Sequence, residues 1–434
     1  MKFFREGEKI GLSKLTAEHV AAYYVDWLND REVTKTLVTG LFPSSIEDVA
    51  AFVGDADGPK RVSFAITRKD EGRHIGNVKL DVIDWIGRKA DFGILIGDRR
   101  SWGQGFASEA TALVLRYAFT TLNLERVTLG VLADHTSAIR VYEKLGFIRE
   151  GVRPREQHVD GVQKDVLIMG VSRSRFLQTQ SRVVIIVQAR MSSTRLPGKV
   201  LLPLAGEPAL GRLLDRLALA QRVHAVVVAT STDLVDDAVA TVARDRGVAC
   251  VRGSLEDVLA RYHQAAKEQG ADVIVRVTAD CPLHDPVVID RGVDEFFADC
   301  DAIDYCSNAD DRTFPDGLDT EVFWVAALDE AARCAASRED REHVTSYISR
   351  RKRKRSFAQH VDLSMLCWTL DVREDYEWIA AIYEKLQRRE RVFGADAVYR
   401  LLVEEPTLLR TRRAAGDGEH QTVVEKIRRH LEKT

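Results

Sequence analysis

The sequence predicts an α/β protein in two parts, a mixed α+β first half followed by a mostly parallel α/β second half, and three observations predict it. First, 434 residues exceed what one hydrophobic core usually reaches, and a prior of roughly 150 residues per domain gives two or three domains. Second, 45% hydrophobic and 30% charged residues with only 10 Pro and 28 Gly can bury cores and are far from disordered or collagen-like composition. Third, the apolar run Val183–Val187 starts a fresh alternation of strands and helices after a polar, basic stretch, Ser172–Arg182.

In the first half, extended patterns cover Val62–Arg68, His74–Val82, Asp91–Ile96, Arg126–Val131 and Val162–Val171, around amphipathic helices at Ala17–Leu28, Phe106–Thr121 and Thr136–Leu145. That mixture reads as α+β over residues 1–172. Residues 173–182 are the expected linker. Lacking a Gly or Pro cluster, it suits a helical connector with Phe176 and Leu177 docked on a domain as well as a loose tether. Residues 183–434 form the second domain, where strands Val183–Val187, Ala225–Ala229, Val248–Val251 and Val273–Val277 alternate with helices Leu210–Ala220, Val235–Arg246 and Leu255–Gln269. Near-continuous Val and Ile strands indicate a mostly parallel, Rossmann-like sheet covered on both faces.

Lys+Arg 63 against Asp+Glu 66 leaves −3, no global field for nucleic acid or an anionic membrane, so any phosphate site is local. No apolar run nears the roughly 18 residues of a transmembrane helix, and Met1–Leu15 alternates charges where a signal peptide is apolar, so the cytoplasm is expected. Six scattered cysteines without a C-x-x-C pair read as reduced, mostly buried thiols. The basic run Arg350–Arg355 reads as the solvated end of a helix over Ser337–Arg350, where cations suit the negative dipole, more than as a nucleic-acid patch.

The strand Asp91–Ile96 feeds Arg100-Ser-Trp-Gly103-Gln-Gly105, and a helix opens at Phe106 with Ala107 in its first turn. Glycines let a backbone approach a ligand closely, and the unpaired N–H groups of a helix start then face an anion. A pyrophosphate fits there; on spacing alone, a structural turn fits equally. The next strand and helix end in Ala138-Ile-Arg-Val-Tyr142-Glu-Lys-Leu-Gly146-Phe147. Together these segments resemble the GNAT family of N-acetyltransferases over Lys9–Ser172. Gly76-Asn-Val-Lys-Leu and the Asp91–Gly97 strand are similar to the branch that acetylates amino-sugar nucleotides for bacterial surface glycans. The resemblance implies acetyl-CoA as co-substrate, bound through Arg100, Gly103, Gly105, Ala107 and His135. It makes Tyr142 the general acid that returns a proton to the coenzyme A thiolate, a phenol pKa of about 10 lying above a thiol's. His135 stands where the family often has Asn, and a solvent-facing helix start accounts for it as well. The acceptor amine must lose a proton, for which Asp91 is the candidate, with His74 and His158 as alternatives. A plain surface carboxylate explains Asp91 equally.

Strand Val183–Val187 leads into Gln188-Ala-Arg190-Met-Ser-Ser-Thr-Arg195-Leu-Pro197-Gly198-Lys199, three cations where open α/β sheets usually hold ligands. Arg forks onto phosphate oxygens and Lys supplies a point charge, so the loop suits a triphosphate. It is not a P-loop, and a solvated basic loop has the same spacing. Ala229-Thr230-Ser-Thr-Asp233, Arg276-Val-Thr-Ala-Asp280-Cys-Pro282 and Trp368-Thr-Leu-Asp371-Val-Arg-Glu-Asp375 follow in order. From Arg182 to about Leu402 the chain thus resembles the sugar-activating cytidylyltransferases. Gly317-Leu-Asp319-Thr-Glu321 and Arg341-Glu-His343-Val344 are similar to the spore-coat polysaccharide subgroup. The resemblance implies CTP as co-substrate, with Arg190 and Lys199 catalytic and Arg195, Gly198, Thr230 and Asp233 on the nucleotide. Arg276, Asp319, Glu321 and His343 would contact an acidic sugar. Asp280 and Asp371 would hold Mg²⁺, a hard ion often bound by one or two carboxylates plus substrate oxygens, although a cap or turn role explains either aspartate in isolation. The whole implies a bifunctional enzyme of nonulosonic acid-like sugar synthesis. It would N-acetylate an amino-sugar nucleotide and form a CMP-sugar with release of pyrophosphate, its partners being small molecules and, compatibly, a second copy of itself. The alternative keeps both folds but pairs a protein or small-amine acetyltransferase with activation of a phosphorylated or phosphonate acceptor.

Overall fold

Phe176, inside the stretch expected to link the two halves, is fully buried. The computed structural model describes residues 3–36, 42–55, 58–300, 302–388, 392–411 and 417–433 and divides into two units, Met1–Gln180 and Ser181–Thr434. Residues 173–180 are therefore not a tether but a helix of the first unit, with the Phe176 ring 5.5 Å from that of Phe119. A tether would leave that ring in water, at a cost of roughly 1.5–3 kcal/mol.

The first unit runs β1 (Arg5–Glu6), β2 (Ile10–Lys14), α1 (Ala22–Asn29), α2 (Arg31–Thr34), α3 (Ile46–Gly54), β3 (Val62–Arg68), β4 (Arg73–Asp84), β5 (Lys89–Ile96), α4 (Phe106–Thr120), β6 (Arg126–Leu132), α5 (Thr136–Lys144), β7 (Ile148–Val159), β8 (Val162–Ser172) and α6 (Arg173–Gln180). Its sheet has the order β1-β2-β3-β4-β5-β6-β8-β7. Neighbours are antiparallel except β5 and β6, which run parallel and pair only at Lys89↔Arg126, Ala90↔Val127 and Asp91↔Thr128. Beyond Asp91 the two strands part, so the stretch from Phe92 to Ile96 keeps β4 on one side and, among the described residues, pairs with no strand on the other. One face carries Phe92 with Phe106 and Ala110 of α4 and Ile139 of α5. The other carries Ala65 and Leu95 under Tyr24, Trp27, Val49 and Val53 of α1 and α3. The helix expected over Ala17–Leu28 forms as a 3-10 turn, Ala17–His19, and then α1. Strand β7 has no apolar alternation to read because it is the exposed sheet edge and includes Pro154, a residue at home on edges. Asp160 and Gly161, at φ +51° and +81°, turn it into β8 as a two-residue hairpin.

The second unit runs β9 (Val183–Gln188), β10 (Pro203–Leu204), β11 (Glu207–Pro208), α7 (Ala209–Leu217), β12 (Ala225–Ser231), α8 (Asp237–Asp245), β13 (Ala249–Gly253), α9 (Val258–Glu268), β14 (Val273–Thr278), α10 (Pro286–Ala298), β15 (Tyr305–Ser307), β16 (Glu321–Trp324), α11 (Val325–Cys334), α12 (Arg338–His343), α13 (Ser346–Arg351), β17 (Lys354–Ser356), α14 (Arg373–Gln387), α15 (Ala395–Glu404) and α16 (Asp417–Leu431). The sheet order is β13-β12-β9-β14-β16-β15-β17, with β16 alone running against the rest. Strand order reverses between β9 and β14. In open α/β sheets the crevice at the carboxyl ends of such a pair is where ligands bind.

Two expectations need correction. The helix expected over Ser337–Arg350 is split into α12 and α13 by Val344, which is fully buried at φ +56°. The basic run ends α13 and forms β17, and five of its six cations are matched by acids: Arg350 by Asp340, Lys352 by Glu330, Arg353 by Asp304, Lys354 by Asp310 and Arg355 by Glu295, while Arg351 lies over the Tyr347 ring. A stripe so largely neutralised leaves little field for a polyanion. The six cysteines are free thiols, and among the described residues no helix is long and apolar enough to cross a membrane.

Candidate active sites

In the first unit, Gly103 and Gly105 take φ +74° and +87°, and a Cβ on either would meet nothing within 4 Å. These glycines are needed for the left-handed backbone, and the space beside them is open. Gly105 is the N-cap of α4 and supplies no side chain, so the first N–H groups of that helix, including that of Ala107, have no intrahelical partner. Asp98, which sequence reasoning did not single out, fixes the approach. It is buried, caps the turn through Arg100 N at 3.3 Å and accepts from Ser101 Oγ at 3.0 Å. The Arg100 guanidinium, 69% exposed, keeps one loose contact to Asp98 at 3.3 Å.

Tyr142 on α5 has its ring 6.1 Å from Phe92 and 5.5 Å from Phe147, beside the stretch of β5 that has left β6. Burial pushes its phenol to about 12, so it stays protonated near neutral pH. Asp91 sits at the last paired position, exposed, where its Oδ1 accepts from Thr128 Oγ1 at 2.6 Å. As the strand neighbour of Phe92 it points to the opposite face. His74 is buried, with Nε2 2.9 Å from both Gly76 O and Asn77 Oδ1. Two acceptors assign the proton to Nε2 and leave Nδ1 to accept from Tyr23 Oη at 3.3 Å. His158 lies exposed on edge strand β7. None of these three expected bases hydrogen-bonds to Tyr142 among the described residues. His135 occupies the N-cap position of α5, half-buried, its Nδ1 3.2 Å from Ser137 Oγ, and burial lowers its pKa.

In the second unit, Gly198 at φ +71° starts a short turn that sends Lys199 inward. Lys199 Nζ lies 2.9 Å from Asp280 Oδ2 and 2.9 Å from Asp371 Oδ1, and Arg195 Nη2 is 3.0 Å from the same Asp371 oxygen. The Asp280 and Asp371 segments are tied through backbone, and the Lys199 loop joins them through its side chains. Leu370 N donates to Asp280 O at 2.7 Å, and Asp375 Oδ2 accepts from Asp371 N and Val372 N at 2.8 Å each. Gly317, at φ +107°, lets the preceding loop lie against this segment, since a Cβ there would stand 2.9 Å from the Trp368 carbonyl carbon. Burial, the largest single influence, works to raise the Asp280 carboxyl, but Lys199, the Thr278 hydroxyl and a backbone hydrogen bond together hold it below the usual range. Burial likewise works to lower Lys199, and the two aspartates keep it above its ordinary value.

Asp236, also missed, pins the basic loop by accepting from Met191 N at 2.7 Å while its other oxygen takes the Ser231 hydroxyl. Arg190 stands 3.8 Å from Glu342. Thr230 is fully buried, its hydroxyl without a partner among the described residues. Asp233 is exposed, and its backbone shapes its loop, its N–H donating to Ser231 Oγ at 3.1 Å and its carbonyl accepting from Arg252 Nη2 at 2.9 Å. Neither side chain joins the Lys199 cluster. Arg276 and Glu321 face each other in the β14–β16 register and form an ion pair, with Tyr305 Oη 2.6 Å from Glu321 Oε1. Each is thus the other's partner. Asp319 is held by Arg312, Nη2 to Oδ2 2.7 Å, and burial raises its pKa despite that contact. His343 is exposed at the end of α12.

Residues 9–148 match the family described as acetyltransferase (GNAT) domain, and residues 184–388 match cytidylyltransferase. The Bacillus subtilis spore coat polysaccharide biosynthesis protein SpsF is 33% identical over 230 residues, covering 50% of this chain and 92% of that protein. The chain belongs to the cytidylyltransferases. It carries a GNAT acetyltransferase domain ahead of that domain, and is an N-acetyltransferase joined to a nucleotidyltransferase. A solved cytidylyltransferase from Leptospira borgpetersenii is similar to the cytidylyltransferase half at 32% identity and TM-score 0.52, covering 55% of this chain and all of that one. The GNAT half is 37% identical over 103 residues to the spermidine N(1)-acetyltransferase of Vibrio cholerae, which is 24% of this chain and 59% of that protein.

Proposed function

We propose that this cytoplasmic enzyme makes an activated surface-glycan sugar, acetylating an amino-sugar nucleotide in its GNAT half and coupling CTP to an acidic, nonulosonic acid-like sugar in its cytidylyltransferase half. The observation that carries the reading is Lys199 standing 2.9 Å from both Asp280 and Asp371 at the reversal point of the second sheet. Two carboxylates that already gather a cation offer the hard oxygen donors that suit Mg²⁺. Asp280 and Asp371 would hold that ion, which neutralises charge during attack on the α-phosphate. Arg190, Arg195 and Lys199 bind the triphosphate oxygens; a sugar hydroxyl attacks the α-phosphorus and loses its proton to solvent, the bond from that phosphorus to the bridging oxygen breaks, and pyrophosphate leaves.

In the GNAT half, the pyrophosphate of acetyl-CoA sits at the start of α4. The extended arm of the coenzyme lies along the edge of β5 away from β4, where backbone groups from Phe92 onward have no strand partner among the described residues. The amine attacks the thioester carbonyl, and Tyr142 gives its proton to the leaving thiolate. The amine's proton goes to Asp91, the candidate base, or to His74 or His158, directly or through water. The likeness to SpsF supports the glycan assignment; that to spermidine acetyltransferase supports a small-amine acceptor as the second reading.

Coenzyme A release is measured with amino-sugar nucleotides and with spermidine, and pyrophosphate release from CTP and Mg²⁺ with acidic sugars and with phosphonates. Turnover on the amino-sugar nucleotide and the acidic sugar is expected. Turnover confined to spermidine and phosphonates would overturn the reading.

A further inference from the structure

The loop that follows Asp280 is gripped by two buried side chains from different helices. Arg216 on α7, 2% exposed, donates from Nε to His284 O at 2.8 Å, from Nη2 to Leu283 O at 3.1 Å and from Nη1 to Phe393 O at 2.6 Å. Tyr383 on α14, 3% exposed, donates from Oη to Pro282 O at 2.6 Å. Three consecutive carbonyls, 282 to 284, are thus collected by two side chains just after Asp280. All three hydrogen-bond partners of Arg216 are carbonyls and none is a carboxylate, so its charge is buried on neutral dipoles. Such burial is less favourable than a well-packed apolar side chain of similar volume. What an apolar side chain could not do is fix direction. The Nε and Nη2 edge of a guanidinium is a rigid planar fork, and here it sets two successive peptide groups at once.

The other carboxylate is tied to the same clamp. Helix α14 starts at Arg373, and its Asp375 accepts from Asp371 N at 2.8 Å. Tyr383 lies on the same helix about 12 Å further along, at about 1.5 Å per residue. One rigid helix therefore holds the Asp371 backbone at its start and Pro282 at its third turn, and Leu370 N, donating to Asp280 O at 2.7 Å, closes the frame. The Phe393 ring joins the two clamp residues, 5.1 Å from the Tyr383 ring and 4.9 Å from Arg216 Cζ. Arg216, Tyr383 and Phe393 also border a cavity of about 790 Å³, so the place of the loop depends on these bonds more than on packing from that side.

We propose that Arg216 and Tyr383 are positioning residues of the cytidylyltransferase half, setting the spacing between the Asp280 and Asp371 carboxylates on which divalent-ion binding depends. The proposal rests on the CTP reading above. Mg²⁺ takes oxygens at about 2.0–2.1 Å in near-ideal octahedral geometry, so a loop displaced by a fraction of an ångström weakens the ion's hold. The long side chains of Arg190 and Arg195 can follow a triphosphate through the same displacement.

Mn²⁺ suits the same oxygen donors, and its binding to the full chain with CTP present is read by paramagnetic resonance; binding of CTP alone is measured by calorimetry in EDTA. Arg216→Lys keeps the charge and loses the fork, and Tyr383→Phe keeps the ring and loses the Pro282 bond. In both, Mn²⁺ affinity is expected to fall about fivefold or more, with metal-free CTP affinity unchanged. The Mg²⁺ concentration for half-maximal pyrophosphate release should rise by the same factor. A merely structural role would lower the melting temperature and leave the metal affinity of the folded molecules alone. Wild-type Mn²⁺ affinity in either folded variant, or an equal loss of metal-free CTP binding, would overturn the proposal. Should Arg216→Lys fail to fold, Tyr383→Phe decides alone. Wild-type protein that binds no Mn²⁺ with CTP present would instead bring down the CTP reading, and this inference with it.

Discussion

The two sites hold their ligand-facing groups by opposite means. In the GNAT half the work falls to backbone: two glycines at positive φ, a helix start without a side-chain cap, and five residues of β5 that, among the described residues, have a strand on one side only. In the cytidylyltransferase half it falls to side-chain charges that hold one another, Lys199 and Arg195 against Asp280 and Asp371. A site made of backbone donors survives loss of a charge and fails when the chain direction is disturbed. A site made of paired charges fails when one is neutralised, because its partner is left buried and unmatched.

Asp371→Asn tests the second half of that contrast and has the largest expected effect. It removes the negative charge facing both Lys199 and Arg195 while nearly keeping the volume. Pyrophosphate release from CTP should fall by orders of magnitude, and coenzyme A release should stay within about twofold, since the two units carry separate motifs. Loss of both activities in protein that is folded by circular dichroism would show that the sites are one.

Tyr142→Phe is the mirror case. It deletes the hydroxyl and keeps the ring against Phe92 and Phe147. Acetyl transfer should fall by about 10²–10⁴-fold, the usual worth of a general acid, with CTP turnover untouched. Acetyl transfer at the wild-type rate would remove Tyr142 from the chemistry.

Gly105→Ala sharpens the comparison at smaller amplitude. Nothing lies within 4 Å of the added methyl, so the expected penalty is the left-handed backbone at φ +87°, about 1–2 kcal/mol for a residue with a Cβ. Acetyl-CoA affinity measured by calorimetry should weaken about tenfold, the equivalent of about 1.4 kcal/mol. Unchanged affinity would mean that the loop direction does not set the pyrophosphate site.

What was legible in the sequence follows from the same contrast. The motifs at strand ends could be read because each packs its chemistry into a few consecutive residues, as Gly198-Lys199 and Asp280-Cys-Pro282 do. The three cations and two aspartates of the second half do converge, apart from Arg190, which turns to Glu342. Contacts between distant segments were invisible: Asp236 holds Met191, and Arg276 is spent on Glu321 because β16 happens to run antiparallel to β14 in that register. Arg216 sits in an ordinary amphipathic helix pattern, and only the carbonyls it holds set it apart. Short or exposed strands, β7 and β15 to β17, gave no periodicity, and the break at Val344 depends on a backbone angle that no residue type announces. In the GNAT half the glycine turn into a helix was readable, and so was the helix that carries Tyr142. Asp91 and its alternatives were chosen as the acceptor's base by residue type alone.

The effect expected to touch activity least concerns stability and pH in the GNAT half. Burial, the largest influence, pushes His74 from 6.5 to about 4, because the ring is packed under Trp27, Tyr23, Tyr24 and His19 and finds acceptors but no carboxylate. Its folded form binds fewer protons than the unfolded chain between those two values. Its contribution is therefore fully present above pH 6.5 and is lost as pH falls through about 4. A difference of about 2.5 units is worth about 3 kcal/mol at about 1.36 kcal/mol per unit. His284 in the other half is also lowered by burial, so both halves should soften in acid, and the melting transition that acetyl-CoA raises identifies the GNAT half. In His74→Gln, which keeps a donor for Gly76 O, that transition should depend less on pH between 6.5 and 4 than in the wild type, while the other transition keeps its slope. Identical slopes in wild type and His74→Gln would mean that the imidazole is protonated within the fold, and that the aromatic pocket around it is open to water.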